Sequence, residues 1–479
     1  MMRINTVDVY NFRGFAEYHV EFAPSVTVLI GRNGAGKTSL IDALHKSLSF
    51  IFSNSIKLGD DYLSSGNPSL KVNSFATGDY YIDPKTKEIP QAISLNASAL
   101  YNGEQLEWKL YKKTTSGAAL HTSKYNKAYK QFMRLWRSGA DLPLLVYYSD
   151  SFPHRNVKAT QFALDTIAKP IVPRNFGYYQ WDVEGACTSI WEVRLCNILA
   201  KMTPLFTPAL RVASRIMELE EKYTKEELID NEEYLAAQNE SRRLSDVMDP
   251  LQREESFVVN RLSAFMGTLP DLDKQDYVLD YLVPIQSGES YRLSLVFKNG
   301  NTIALQDLPA GYRRMYSIVL DMACRSYILN GDKEPSGIVM IDEMDLHLHP
   351  SLEQEVVGAL QKAFPRVQFV ITTHSAAVIS NLNASSGDCT VLFMQENTKK
   401  PKALPNIYGL DYNAALRDFM DTPSRSMEVR KLMDMLLAYA SHGLKTESES
   451  LYRQIIALVG TDNPVIQQLK HKLAQDEIH

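Results

Sequence analysis

Val26-Thr-Val28-Leu-Ile30-Gly31-Arg-Asn33-Gly34-Ala35-Gly36-Lys37-Thr38-Ser39-Leu40-Ile41 decides the fold. An apolar, β-branched run (Val26, Val28, Ile30) leads into the pattern G-x-x-x-x-G-K-[ST], and a helical pattern (Leu40, Ile41, Ala43, Leu44) follows at once. Strand, loop and helix in that order are the context a phosphate-binding loop requires. Gly31, Gly34 and Gly36 let the backbone curl so that the N–H groups of Gly31 to Ser39, those of Asn33 and Ala35 included, turn toward phosphate oxygens. The helix N-terminus adds positive potential there. Lys37 is placed to reach the β- and γ-phosphates, and Thr38 offers a hydroxyl to Mg²⁺. The expected fold class is α/β, and the expected ligand is a nucleoside triphosphate, ATP, with Mg²⁺.

Two downstream strands extend the site. Gly337-Ile-Val-Met-Ile341-Asp342-Glu343 is a buried apolar strand ending in two carboxylates. Asp342 suits the Mg²⁺ shell, and Glu343 stands where a general base polarises the attacking water. Val367-Gln-Phe-Val-Ile-Thr-Thr373-His374-Ser375 is a second such strand, ending in a histidine that reads as a γ-phosphate contact. The catalytic set is therefore Lys37, Glu343 and His374, and the metal set is Thr38 with Asp342.

The order of these three motifs resembles the ABC-type ATPase heads of the SMC, RecF and OLD group. So do Asn11-Phe12-Arg13-Gly14-Phe15 and Asp342-Glu-Met-Asp345-Leu-His347-Leu-His349-Pro350. The resemblance implies that Arg13 lies near the nucleotide, that Asp345 crosses a dimer interface, and that a signature loop completes the site of the opposite protomer. Leu308-Pro309-Ala310-Gly311-Tyr312 is the candidate loop. An apolar helical stretch follows it (Met315, Ile318, Val319, Met322). Before it, Tyr291, Leu293, Leu295 and Phe297 alternate into the turn Lys298-Asn-Gly300-Asn301, a hairpin signal. Pro309 stands where the family has a serine, so head pairing is expected to survive with slow hydrolysis. Gly311 and the helix N-terminus would supply backbone N–H groups instead. Gln161 is the candidate for the family's Q-loop glutamine.

The 479 residues are 45% hydrophobic and 22% charged, enough for one large composite domain with insertions. A net charge of −5 gives no general attraction to nucleic acid. Cys187, Cys196, Cys324 and Cys389 show no metal-ligand spacing. With neither a signal peptide nor a membrane-length apolar run, a cytoplasmic protein is expected.

Residues 1–184 read as the first half of the head and 269–407 as the second. Between them, 185–268 reads as a helical insertion: Ala209, Val212, Ala213, Ile216 and Leu219 repeat at helical spacing, and Thr224 with Glu227 forms a capping box. Lys124, Lys127, Lys130, Arg134 and Arg137 form a basic stripe offset from an aromatic one (Tyr125, Tyr129, Phe132, Trp136). Two readings stand: an amphipathic helix with a solvated charged face, or a contact to a DNA or RNA backbone.

Residues 408–479 read as a tail of short amphipathic helices that must pack on the head or on a partner. OLD-type relatives carry a nuclease domain after the head. The roughly seventy residues here, without an Asp-x-Asp, imply no nuclease of this kind. The whole pattern looks like the ATPase of Septu-type anti-phage systems, a family also found with some retrons. That implies a homodimer, or a higher oligomer built from it, that regulates an HNH-type nuclease. The alternative is a RecF-like repair ATPase that binds DNA with ATP, and a third reading is a head that pairs on ATP and barely hydrolyses it.

Overall fold

Apolar strands covered on both faces build the central sheet, whose order is β13–β12–β3–β11–β10–β6. Its members are β3 (Val26–Ile30), β6 (Leu144–Tyr148), β10 (Ser336–Ile341), β11 (Arg366–Thr372), β12 (Cys389–Phe393) and β13 (Lys402–Ala403). All neighbours pair in parallel except β13, which runs antiparallel to β12. Every residue of β3, β6 and β10 is buried, which is why these strands read as continuous apolar runs. The computed structural model describes residues 1–53, 70–152, 160–169, 171–181, 189–269, 278–288, 290–419, 426–461 and 463–476. Cys187 lies outside the described residues; Cys196, Cys324 and Cys389 are buried free thiols.

Register places the three site-bearing strand ends side by side. Ile341 pairs with both Tyr148 and Ile371, and Thr372 pairs with Leu29. The segments after β3, β10 and β11 therefore emerge at one edge of the sheet, where open parallel sheets bind ligands. Helix α1 (Lys37–Leu48) follows the phosphate loop. Between β10 and β11 lies α8 (Pro350–Ala363), capped by His349 with proline at its first position, and α9 (Ala376–Ser380) follows β11.

A second sheet, in the order β2–β1–β4–β5, is antiparallel: β1 (Met2–Phe12), β2 (Phe15–Glu21), β4 (Ala92–Tyr101) and β5 (Glu104–Lys113). Gln368 of β11, fully buried, joins it to the central sheet. Its amide donates to the Ile4 and Ala23 carbonyls at 2.9 and 2.7 Å and accepts from the Ile4 N–H at 2.8 Å. Helix α2 (Asn126–Arg137) packs against β5, and α3 (Gln161–Ile167) follows β6. The expected hairpin is present as β7 (Leu279–Ser287), β8 (Ser290–Phe297) and β9 (Thr302–Ala304), and it feeds helix α7 (Ala310–Asn330).

The insertion consists of α4 (Ser189–Lys222), α5 (Lys225–Ile229) and α6 (Glu232–Met266). Glu227 accepts from the Thr224 N–H at 2.9 Å, closing the capping box at the start of α5. Arg194 and Glu254 form a bidentate pair between α4 and α6 at 3.0 and 2.8 Å, each side chain 5% exposed. Of the five apolar positions that mark the α4 period, only Leu219 is buried, while Phe206, Leu210 and Met217 nearby are exposed. No described helix is long and apolar enough to cross a membrane.

Leu410–His479 form a separate unit, with α10 (Tyr412–Phe419), α11 (Met427–Ser441), α12 (Lys445–Val459) and α13 (Pro464–Asp476). Asn463, just before Pro464, accepts from the Val465 N–H at 3.0 Å at the start of α13. Met433, Leu436, Leu451, Ile455, Ile466 and Leu469 bury one another. Met427, Met435, Leu444 and Leu458 stay exposed.

The head core is locked by a buried polar cluster on α7. Asp321 accepts from Arg325 Nε at 2.6 Å, Tyr148 Oη at 2.6 Å and Trp191 Nε1 at 2.5 Å, and both charged side chains are 0% exposed. Arg325 also donates to the Gly177 and Tyr179 carbonyls at 3.1 and 2.7 Å. Asp321→Asn leaves that guanidinium without its counter-charge, and a buried charge stripped of its partner costs about 3–5 kcal/mol. The expected outcome is a lower midpoint in urea denaturation with an unchanged slope.

Candidate nucleotide-binding site

The phosphate loop is built on left-handed glycines, with φ of +88° at Gly34 and +93° at Gly36. A Cβ on Gly36 would meet the Phe15 ring at 2.5 Å, so no larger residue fits. Lys37 Nζ is held over the loop by the Gly31 carbonyl at 2.9 Å and the Arg32 carbonyl at 3.4 Å. Burial pushes its pKa down, against the pull of Asp342, Glu343 and Asp345. Asn33 and Gly34 are exposed on the loop, Ala35 is buried, and Ser39 is half-buried behind it.

Thr38 Oγ donates to Asp342 Oδ2 at 2.9 Å, joining the loop to the end of β10. Thr372 Oγ donates to the other Asp342 oxygen and accepts from the Glu343 N–H at 2.8 Å. That grip holds Glu343 at φ +48°, a conformation that costs a non-glycine residue energy. Asp345 accepts from Thr373 Oγ at 2.5 Å and from the His374 N–H at 3.1 Å, leaving the imidazole exposed. Lys37, Thr38, Asp342, Glu343 and Asp345 thus share one edge with His374. Oxygen donors from Thr38 and Asp342 at this separation fit a hard divalent cation.

Arg13, at φ +49°, is engaged by two carboxylates: Asp42 on α1, and Asp79 at 3.2 Å from Nε. It is thereby tied to the helix that carries Lys37 and Thr38. Gly311 is buried, and a Cβ there would meet the His347 carbonyl oxygen at 2.5 Å. The exposed residues at the start of α7 are Pro309 and Ala310. Gln161 is exposed and donates to Asp165 at 2.8 Å.

Arg314 was not anticipated from the sequence. It is 2% exposed, and its guanidinium donates to the carbonyls of Asp150, Phe152, Ser149, Asp342 and Glu343 at 2.5, 3.1, 3.2, 2.8 and 3.3 Å. One side chain from the second turn of α7 thus fixes the segment after β6 and the backbone of the Asp-Glu pair. The only sequence signal was a cation set one turn into an apolar helix.

The basic stripe lies elsewhere. Lys124 sits in the turn before α2, and all five cations are exposed; Tyr125, Tyr129 and Phe132 are buried and Trp136 is half-buried. Arg134 pairs with Glu104 at 2.5 Å.

Two family profiles match the chain: "AAA ATPase domain" over residues 2–132, and "AAA domain, putative AbiEii toxin, Type IV TA system" over residues 222–380. Among curated proteins, the chain is similar to the retron Vc95 probable ATPase of Vibrio cholerae serotype O1 biovar El Tor. Identity is 24%, covering 80% of this chain and 72% of that protein. It is also similar to the retron Ec83 probable ATPase of Escherichia coli, with 21% identity over 98% and 86% of the two chains. The Septu protein PtuA of Bacillus mycoides is 30% identical over 32% of this chain and 25% of that protein. Among solved structures, the Smc head domain of Pyrococcus furiosus aligns over 84% of this chain and 96% of that one, with 12% identity and a TM-score of 0.40.

Two outcomes follow from this geometry. Arg314→Lys keeps the charge but cannot span five carbonyls, so the turnover number should fall about 100-fold while nucleotide affinity, read by calorimetry, changes little. His45, on α1, is fully buried between the Trp181 and Tyr147 rings, and burial pushes its pKa down to about 3. An unfolded imidazole titrates near 6.5, so below that pH the unfolded chain binds the extra proton and acid favours unfolding. Stability is complete above pH 6.5 and declines toward pH 3. In a series of melting curves from pH 7 to 4, His45→Phe should flatten that decline.

Proposed function

We propose that this chain, an ABC-type ATPase similar to the retron and Septu ATPases, pairs head to head around two molecules of ATP and thereby sets the activity of an HNH-type nuclease in anti-phage defence. The observation that carries the reading is the Thr38–Asp342 contact, with Glu343 next in the chain. In this reading the phosphate loop and Lys37 hold the β- and γ-phosphates. Thr38 and Asp342 would hold Mg²⁺, which supplies charge neutralisation of the phosphates. Glu343 orients the attacking water and takes its proton, while His374 meets the γ-phosphate. The start of α7 in the second copy, with Gly311, closes the site. Asp345, tied to Thr373 and His374, links that interface to the γ-phosphate side. The nuclease partner rests on the Septu-like pattern of the sequence.

Glu343→Gln keeps the shape and removes the base. Turnover should drop at least about 100-fold, and light scattering after gel filtration should show dimer accumulating with ATP. Equal dimer fractions with and without ATP would contradict the paired-head mechanism. A pull-down from the native operon should bring down the nuclease.

A second reading, a DNA-binding repair ATPase, is favoured by the exposed cations of α2 and the turn before it. It predicts that charge reversal of Lys127, Lys130 and Arg134 abolishes DNA binding, whose log–log salt slope is roughly −0.9 per phosphate contacted. Binding unchanged by that reversal would leave the stripe as a solvated face.

A further inference from the structure

A cavity of ≈500 Å³ opens beside the phosphate loop, lined by Gly34–Gly36, by Phe15 and Tyr81, and by the segment Gln395–Lys399. None of Lys37, Thr38, Asp342 or Glu343 lines it. A nucleoside triphosphate is linear. With its γ end among those four residues, its nucleoside end must leave the loop on another side. The cavity shares three loop residues, falls within the size range of ligand pockets, and so receives that end.

One wall of the cavity is held firmly. Strand β12 runs parallel to β3 with Phe393 opposite Ile30, so the segments after both strands emerge together. The Met394 N–H donates to the Ile30 carbonyl at 2.8 Å, and a Cβ on Gly31 would meet the Met394 carbonyl oxygen at 2.5 Å. At the far end, the His19 N–H donates to the Lys399 carbonyl at 2.8 Å. Thr398 Oγ closes the turn onto the Gln395 carbonyl at 2.9 Å, and Asn397 takes a left-handed φ of +59°.

Glu396 sits at the tip of this turn. Its Oε1 lies 3.7 Å from where a Cβ on Gly34 would be, and its carboxylate has no hydrogen bond or ion pair among the described residues. A carboxylate repels a phosphate but accepts hydrogen bonds from hydroxyls. The part of a nucleotide next to its phosphates is the sugar; the base lies farther out. We propose that Glu396 is a specificity-determining residue whose carboxylate accepts from the ribose hydroxyls, so that the site selects ribonucleotides over deoxyribonucleotides. This rests on the nucleotide-binding reading of the phosphate loop.

The test is calorimetric titration of the full-length protein and its Glu396→Ala variant with ATP, 2′-deoxy-ATP, 3′-deoxy-ATP and GTP, with melting temperatures recorded for both. The wild type should bind ATP about tenfold more tightly than at least one deoxy analogue, the usual effect of one hydrogen bond to a charged group. In Glu396→Ala that ratio should fall to near one while the affinity for the deoxy analogue holds. No preference in the wild type overturns the proposal, and so does a preference that survives in the variant. A change confined to the ATP-to-GTP ratio overturns it by placing the carboxylate at the base. Equal weakening of all four ligands overturns it by assigning Glu396 a structural role. A wild-type protein that binds no nucleotide at all would refute the phosphate-loop reading itself, a separate failure.

Discussion

The hydrogen bond from Thr38 to Asp342 joins residues 304 positions apart, and the arrangement of the site depends on it. By itself, as a hydrogen bond to a charged group, it is worth only about 1.5–3 kcal/mol. Its importance is geometric, because it exists only when β3, β11 and β10 pair in the observed register. A slip of one residue would turn each strand's side chains to the opposite face. The apolar core that enforces the register therefore also sets the spacing between loop and carboxylates. Thr372 extends the same logic, holding the Asp342 carboxylate and the Glu343 backbone with a single hydroxyl.

Three buried arginines carry out a second task. Arg314, Arg325 and Arg194 each bridge irregular segments to helices by donating to backbone carbonyls: 149–152 with 342–343, 177–180 with α7, and 167–169 with α4 and α6. Irregular backbone inside a protein must have its carbonyls satisfied. A guanidinium offers five donors in a fixed plane, which an ammonium cannot match. Arg325 and Arg194 also find carboxylates, whereas Arg314 is surrounded by carbonyl dipoles and by the field of nearby acids. Burial lowers its pKa, with Asp150 and Glu343 opposing the shift. The insertion and the ATP-side loops are thus anchored by the same chemistry.

Much of the site was legible because it is local. The phosphate loop, the Asp-Glu strand end and the Thr-His-Ser strand end each announce themselves within a dozen residues, and a parallel sheet brings such ends together by rule. Arg314 was not legible, since its five acceptors are carbonyls, which every residue possesses. Nor was the inward turn of Gly311, which comes from a close approach to His347 across the fold. The helical period of α4 was legible, but its burial was not: periodicity shows that a helix has an apolar face and leaves open what covers it. In the tail, six apolar residues of α11, α12 and α13 cover one another, while Met427 and Leu444 stay exposed.

The neighbours of β3 come late. Val26 pairs with Phe369 and with Cys389, so the strand that launches the phosphate loop meets its first partner about 340 residues after it is made. At roughly 5–20 residues per second of synthesis, that is a wait of about 17–70 seconds. Throughout it, a five-residue apolar strand has both edges open, while β1, β2, β4 and β5 are free to pair among themselves. Splitting a sheet around an insertion thus leaves β3 unpaired for that interval, and it postpones any nucleotide site until β10 and β11 have both been made.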